Sequence, residues 1–181
     1  MARAGALLNM ASKKGLVIWL TGLPCSGKST LAIEIERYFR DQQAPVQRLD
    51  GDVVRTTISK DLGFSKRDRD LNIERVAYIS QMLSDNGVNV VVAFVSPYRQ
   101  MRSFARSICP EFLEVYVKCP VEECIRRDVK GMYKQAMAGK IEHFTGVSDV
   151  YEEPETPEVT VETDVISLDQ CLKQIVQLIN L

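Results

Sequence analysis

At 181 residues the chain has the size of one domain with a single core, and its 45% apolar and 26% charged content excludes a fibrous or wholly disordered architecture. A formal net charge of -1 offers no general attraction for nucleic acid or a membrane surface, and no apolar run approaches the length of a membrane span. Five cysteines without a CxxC pair, and His143 as the single histidine, argue against a zinc site of the usual Cys/His type.

The N-terminal apolar stretch from Ala4 to Met10 is short and is followed, rather than preceded, by Lys13 and Lys14, an order unlike a targeting signal. Residues 1–14 are therefore expected to be a flexible N-terminus and 15–181 one domain. An odd cysteine count without a secretory signal fits a reducing, cytoplasmic setting. Leu16–Thr21 is an apolar run ending in a glycine-rich turn, the pattern of a buried parallel strand. Ser29–Arg40 follows as a helix with Leu31, Ile35 and Phe39 at near-helical spacing, and Val46–Leu49 predicts a second strand. Ser65 is the expected N-cap of a helix reaching about Ser84, with Asp68 three residues on and Asn86-Gly87 as its stop. Asn89–Val95 is the most strand-like run, Gln100–Ile108 reads as helix, Phe112–Val117 as strand, and Val121–Arg127 as the start of a helix. A strand near Val159–Val161 and a helix from Leu168 to Leu181 complete the count. This alternation implies an α/β fold, a parallel sheet with helices on both faces and functional residues outside the carboxyl ends of the strands. Lys130–Glu158 interrupts the pattern with Gly, Pro and charge, and is long enough for a connection to be a candidate lid.

The segment Gly22-Leu23-Pro24-Cys25-Ser26-Gly27-Lys28-Ser29 matches GxxxxGK[ST] between a predicted strand and a predicted helix, which is the context the motif requires. Its glycines let backbone N–H groups face phosphates, and the helix N-terminus adds partial positive charge. The fold class is thus a P-loop NTPase-type three-layer sandwich. Lys28 is expected to reach the β- and γ-phosphates of ATP and Ser29 to ligate Mg²⁺, with Gly22, Cys25, Ser26, Gly27 and Thr30 completing the nucleotide cradle. The motif establishes nucleotide handling without separating a kinase from a GTPase or motor ATPase.

Past the second strand, Asp50-Gly51-Asp52-Val53-Val54-Arg55 puts two acids and an arginine beside that cradle. One carboxylate can orient or deprotonate an acceptor hydroxyl, for which Asp52 is the candidate, and Arg55 can hold an anion. Read without the neighbouring motif, the same residues would be a turn with solvated charges. Phe64, Arg69 and Asn72 supply an aromatic plate, a guanidinium and an amide, the last two on one helix face and suited to a purine and a nearby anion. Ser96 and Arg99 are expected to emerge together at the end of the third strand.

The segments DGDVVR, KDLGFSKRDRDLN, FVSPYR, RDVKGMYKQAMAGKI and FTGVSDVYEEPETPE, taken with the P-loop, resemble the adenylylsulfate kinase family from about Gly15 to the C-terminus. The resemblance implies transfer of the ATP γ-phosphate to the 3′-hydroxyl of adenosine 5′-phosphosulfate (APS), giving 3′-phosphoadenosine 5′-phosphosulfate (PAPS), in sulfate activation. Carried over by position, it implies APS contacts at Asp52, Arg55, Phe64, Arg69, Asn72, Val95, Ser96 and Lys130, with Phe64 and Phe144 on opposite faces of the adenine. It further implies a lid over about 127–151 that includes Arg127, an ATP-base border around Thr163–Ile166, and a homodimer. Some members are fused to ATP sulfurylase, for which this sequence has no room. The sequence departs from the family pattern at Cys25, at Thr56-Thr57-Ile58 and at His143, which stands where a glycine is usual. Two other readings compete: a kinase of the same fold acting on a nucleoside monophosphate or sugar acid, and a non-catalytic nucleotide-binding subunit.

Overall fold

The computed structural model describes residues 13–179, so the expected flexible terminus lies almost entirely outside the described residues. Five strands, β1 (Val17–Thr21), β2 (Val46–Asp50), β3 (Asn89–Ala93), β4 (Phe112–Lys118) and β5 (Val159–Glu162), pair in parallel in the order β2-β3-β1-β4-β5. Side chains alternate across this sheet, as a two-residue period demands. Ile18, Leu20, Val91, Ala93 and Val115 pack against α1 (Lys28–Asp41) and α7 (Leu168–Ile179). Val17, Trp19, Val90 and Val92 face α3 (Lys66–Asp85) and α4 (Arg99–Ile108) instead. The central strands are apolar on both faces because both are covered.

From β1 the chain moves to the β2 edge, and from β3 it crosses to β4 on the other side. The crevice beyond the carboxyl ends of β1 and β3 is therefore the switch point where such sheets bind ligands. Thr21 at the end of β1 bridges it by donating to the Val95 carbonyl at 2.7 Å.

Predicted and observed elements agree closely, and the differences have local causes. The third strand stops at Ala93 instead of Val95, because the chain turns away at Ser96, whose φ is +44°. Asp50-Gly51-Asp52, read as a strand end and turn, starts a short helix, α2 (Gly51–Thr56); the Asp50 carboxylate caps it by accepting from the Asp52 N–H at 3.0 Å. Ser65 caps α3 as expected, accepting from the Asp68 N–H at 3.1 Å. Past α5 (Val121–Arg127), the candidate lid holds a helix of its own, α6 (Met132–Met137). There Tyr133, Ala136 and Phe144 pack with Cys119 and Cys124 against Leu23 and Cys25, a small core separate from those of the sheet. The last helix is described to Ile179; the two residues predicted to extend it lie outside the described residues.

Candidate active site

The loop from β1 to α1 folds around its glycines. Gly22 must lack a side chain, since a Cβ there would meet the Val117 carbonyl oxygen at 2.4 Å. Cys25 has φ +62°, the left-handed region that favours glycine. Lys28 is buried, and its Nζ donates to the Gly22 and Leu23 carbonyls at 3.0 and 2.7 Å. Burial pushes its ammonium down to about 8, opposed in part by neighbouring charges including Asp50 and Asp52. Cys124 beneath it is a neutral neighbour, because burial pushes that thiol up to about 12. The Ser29 hydroxyl donates to Asp50 Oδ2 at 2.8 Å, so β2 delivers a carboxylate to the end of the loop. A hydroxyl beside a carboxylate is a hard-oxygen pair suited to Mg²⁺.

The loop is fastened on its outer side. Thr163, just after β5, donates to the Ser26 carbonyl at 2.7 Å, and Arg127 at the end of α5 donates to Thr163 Oγ1 and O at 3.1 and 2.9 Å. From α6, Tyr133 donates to the Pro24 carbonyl at 3.1 Å.

On the acceptor side, Arg55 donates to the Gly63 carbonyl at 2.5 Å and lies over the Phe64 ring, 4.7 Å from its centre. Phe64 is 59% exposed, an aromatic plate held open by a cation rather than by a core. Phe144 is buried, edge-on to Tyr133 with ring centres 5.0 Å apart. Asn72 is buried and its Oδ1 has no protein partner. Such a group is costly unless something bonds to it. Ser96 accepts from Trp19 Nε1 at 3.0 Å.

The lid crosses the cleft on polar contacts. Lys130 pairs with Asp52, joining the lid to α2. Arg69 donates to the Phe64 carbonyl at 2.9 Å, to Thr145 Oγ1 at 2.8 Å and to the His143 carbonyl, and pairs with Asp149 at 3.3 Å. Tyr98 donates to the same Asp149 at 3.2 Å, and Tyr151 shares a 2.9 Å hydrogen bond with Thr21. His143 takes φ +54°, so the glycine usual at this place matches a left-handed backbone that histidine here adopts.

These elements enclose a cavity of about 770 Å³. From the nucleotide set it is lined by Cys25, Gly27, Lys28, Ser29, Thr30 and Arg127. All the acceptor candidates reach it: Asp52, Arg55, Phe64, Arg69, Asn72, Val95, Ser96, Lys130 and Phe144. Ile166 lines an adjoining space of about 200 Å³ that shares Gly27, Thr30 and Arg127. Gly22 and Ser26 belong to the loop but line neither space. Ser96 and Arg99 both follow the end of β3 as expected, but of the two only Ser96 lines the cavity; the Arg99 guanidinium turns outward to the Glu153 carbonyl and Glu155, both at 2.8 Å. Tyr133 and Asp149 lie outside the expected set, and Thr163, expected only as a border of the ATP base, also braces the loop: each acts through long-range contacts that residue spacing does not encode.

The family model described as adenylylsulphate kinase matches residues 14–162. The chain is 45% identical to an adenylyl-sulfate kinase of Halothermothrix orenii, across 93% of this chain and 91% of the relative. It is 47% identical to one of Gloeothece citriformis, across 90% and 93%. Among solved structures, the Mycobacterium tuberculosis APS kinase in complex with AMPPNP and APS superposes with a TM-score of 0.89 at 36% identity, covering 93% of this chain and 99% of that one.

Proposed function

The chain belongs to the adenylylsulphate kinase family, and on that premise we propose that it transfers the γ-phosphoryl group of ATP to the 3′-hydroxyl of APS, yielding ADP and PAPS for sulfate activation. The observation that carries this reading is the single 770 Å³ cavity in which the Lys28-Ser29 cradle faces Asp52, Arg55, Phe64, Asn72 and Ser96. It accommodates two nucleotides in reach of each other, which in-line transfer requires.

Each residue has a task that its surroundings support. Lys28, already desolvated, meets the terminal phosphates with a charge that water does not screen. Bound with ATP and held by Ser29 and Asp50, Mg²⁺ would neutralise charge on the phosphate oxygens. Asp52 orients the acceptor hydroxyl and serves as its base, with Lys130 as its lid-side partner. Arg55 and Arg69 favour the anionic end of APS. Phe64 and Phe144 hold the adenine between them, and Asn72 Oδ1 accepts a hydrogen bond that no protein group gives it. Arg127 and Ile166 border the ATP base and, with the segment to Tyr151, keep water from the reacting phosphate.

The functional unit in this reading is a cytoplasmic homodimer with a single kinase domain over 15–181. Its five cysteines are all free thiols, in keeping with a reducing compartment, and no helix among the described residues is long and apolar enough to cross a membrane. Light scattering on the purified protein tests the dimer. The reaction is tested by ADP release from ATP and Mg²⁺ with APS, with AMP and without an acceptor. Stimulation by APS alone, with PAPS as product, is expected; ATP binding without APS stimulation overturns the reading.

A further inference from the structure

On α4 and outside the cavity, Arg102 is a buried charge that the reaction as described leaves without a task. It is only 2% exposed, yet its three donor groups go to three separate parts of the chain. Nε donates to Glu114 on β4 at 2.8 Å, Nη1 to the Ser96 carbonyl at 2.6 Å, and Nη2 to the Glu152 carbonyl at 2.7 Å. Ser96 lines the acceptor side of the cavity, and Glu152 is the first residue beyond the lid segment. The two stretches also meet directly, the Glu152 N–H donating to the Pro97 carbonyl at 2.8 Å.

We propose that Arg102 is a positioning residue, a strut whose planar guanidinium sets the acceptor loop at Ser96 and the C-terminal root of the lid at one fixed separation. The inference rests on the reading of the cavity as the APS site. Three features carry it. Glu114 balances the charge of the buried arginine, and its remaining donors are satisfied by carbonyls of two separate segments, so the planar fork fixes their direction. Ser96 holds φ +44° without being glycine, a conformation that persists only when its surroundings over-determine it. Its carbonyl is held by Arg102 at 2.6 Å, with Thr21 farther off at 3.5 Å, and its hydroxyl by Trp19, so Arg102 supplies the short bond of that restraint. Finally, the same ion network contains a built-in control. Arg106 pairs with Glu114 at 3.2 Å and Glu158 at 2.6 Å, but touches neither Ser96 nor Glu152.

The test compares Arg102→Lys, which keeps a charge beside Glu114 but cannot span both carbonyls, with Arg106→Gln. The expected result for Arg102→Lys is a kcat/KM for APS lowered on the order of 10–100-fold, the scale of a misplaced substrate. KM for ATP should stay within about twofold of wild type, because the P-loop contacts are untouched. Arg106→Gln should lose thermal stability with both KM values unchanged. Trp19, the only tryptophan, supplies a readout independent of turnover. Its emission should shift to the red in Arg102→Lys as the Ser96 bond loosens, and stay fixed in Arg106→Gln. If the two variants behave alike, with lower melting temperature and no APS-specific change, Arg102 is merely part of the core and the proposal falls. Should Arg102→Lys not fold, Arg102→Met/Glu114→Gln, which leaves no unpaired buried charge, decides on the same readouts. A wild-type protein without APS-stimulated turnover would overturn the reaction, and Trp19 emission alone would then judge the strut.

Discussion

On the nucleotide side of the cleft, the residues from Gly22 to Ser29 build a cradle largely from their own backbone: Lys28 bonds to Gly22 and Leu23 a few positions away. On the acceptor side, Asp52, Phe64, Asn72, Ser96 and Phe144 arrive from five stretches of chain, and the contacts that hold them span long loops, Arg69 to Thr145 and Lys130 to Asp52 among them. The first arrangement is mostly local, set at the carboxyl end of β1. The second is non-local, polar and partly open to water. Damage to the cradle should therefore appear in the rate of transfer, and damage to the acceptor side in the requirement for APS.

The largest effect is expected where the difference is sharpest. Lys28→Ala removes the buried cation of the phosphate loop, and kcat should fall by about 10²–10³ or more, the scale of one lost electrostatic contact at a transition state. Near-normal turnover in steady-state assays of that variant would break the comparison. Phe64→Ala tests the other side. Its ring is mostly exposed, so the melting temperature should barely move while KM for APS rises by the equivalent of about 1–3 kcal/mol of stacking. An equal rise in KM for ATP would merge the two sides.

A pH experiment sharpens the nucleotide side alone. The Lys28 ammonium is pushed down to about 8 by burial, so between pH 8 and its ordinary value the free folded protein carries fewer protons there than the unfolded chain. This contribution alone makes stability rise with pH across that window. ATP phosphates favour the charged form, so ATP binding above pH 8 should take up a proton, approaching about one per ATP near pH 9, and affinity should fall as pH rises. Calorimetry in buffers of different ionisation enthalpy measures this uptake, which Lys28→Arg should abolish. APS binding should show no such uptake from this group.

The smallest effect is expected at His143, where the backbone is left-handed. Glycine relieves that strain but adds freedom to the unfolded chain, so His143→Gly should change stability by no more than about 1 kcal/mol in thermal melts. Turnover should be kept, since the contact to Arg69 uses the His143 carbonyl, which glycine also has. A large loss of APS affinity would instead assign a role to the imidazole.

The amino-acid order was sufficient for the elements whose cause is local. The apolar run ending at Thr21 and the Ser65 cap with Asp68 appear where periodicity and capping put them, because a strand's two-residue repeat and a cap's hydrogen bond are decided within a few positions. The phosphate loop was legible for the same reason, its glycines, lysine and serine being adjacent. The Asp50 cap of α2 is equally local, but an Asp at the end of a strand beside a phosphate loop is as well suited to chemistry as to capping, and sequence alone does not separate the two. Which acceptor residues converge, that Arg99 turns outward while Arg102 turns in, and that Tyr133 and Thr163 brace the loop were decided only by tertiary structure. Arg99 and Arg102 lie three apart on one helix, alike in sequence. One meets solvent-facing glutamates and the other a glutamate within the buried part of a strand, and the burial that separates them exists only after sheet and helix have packed.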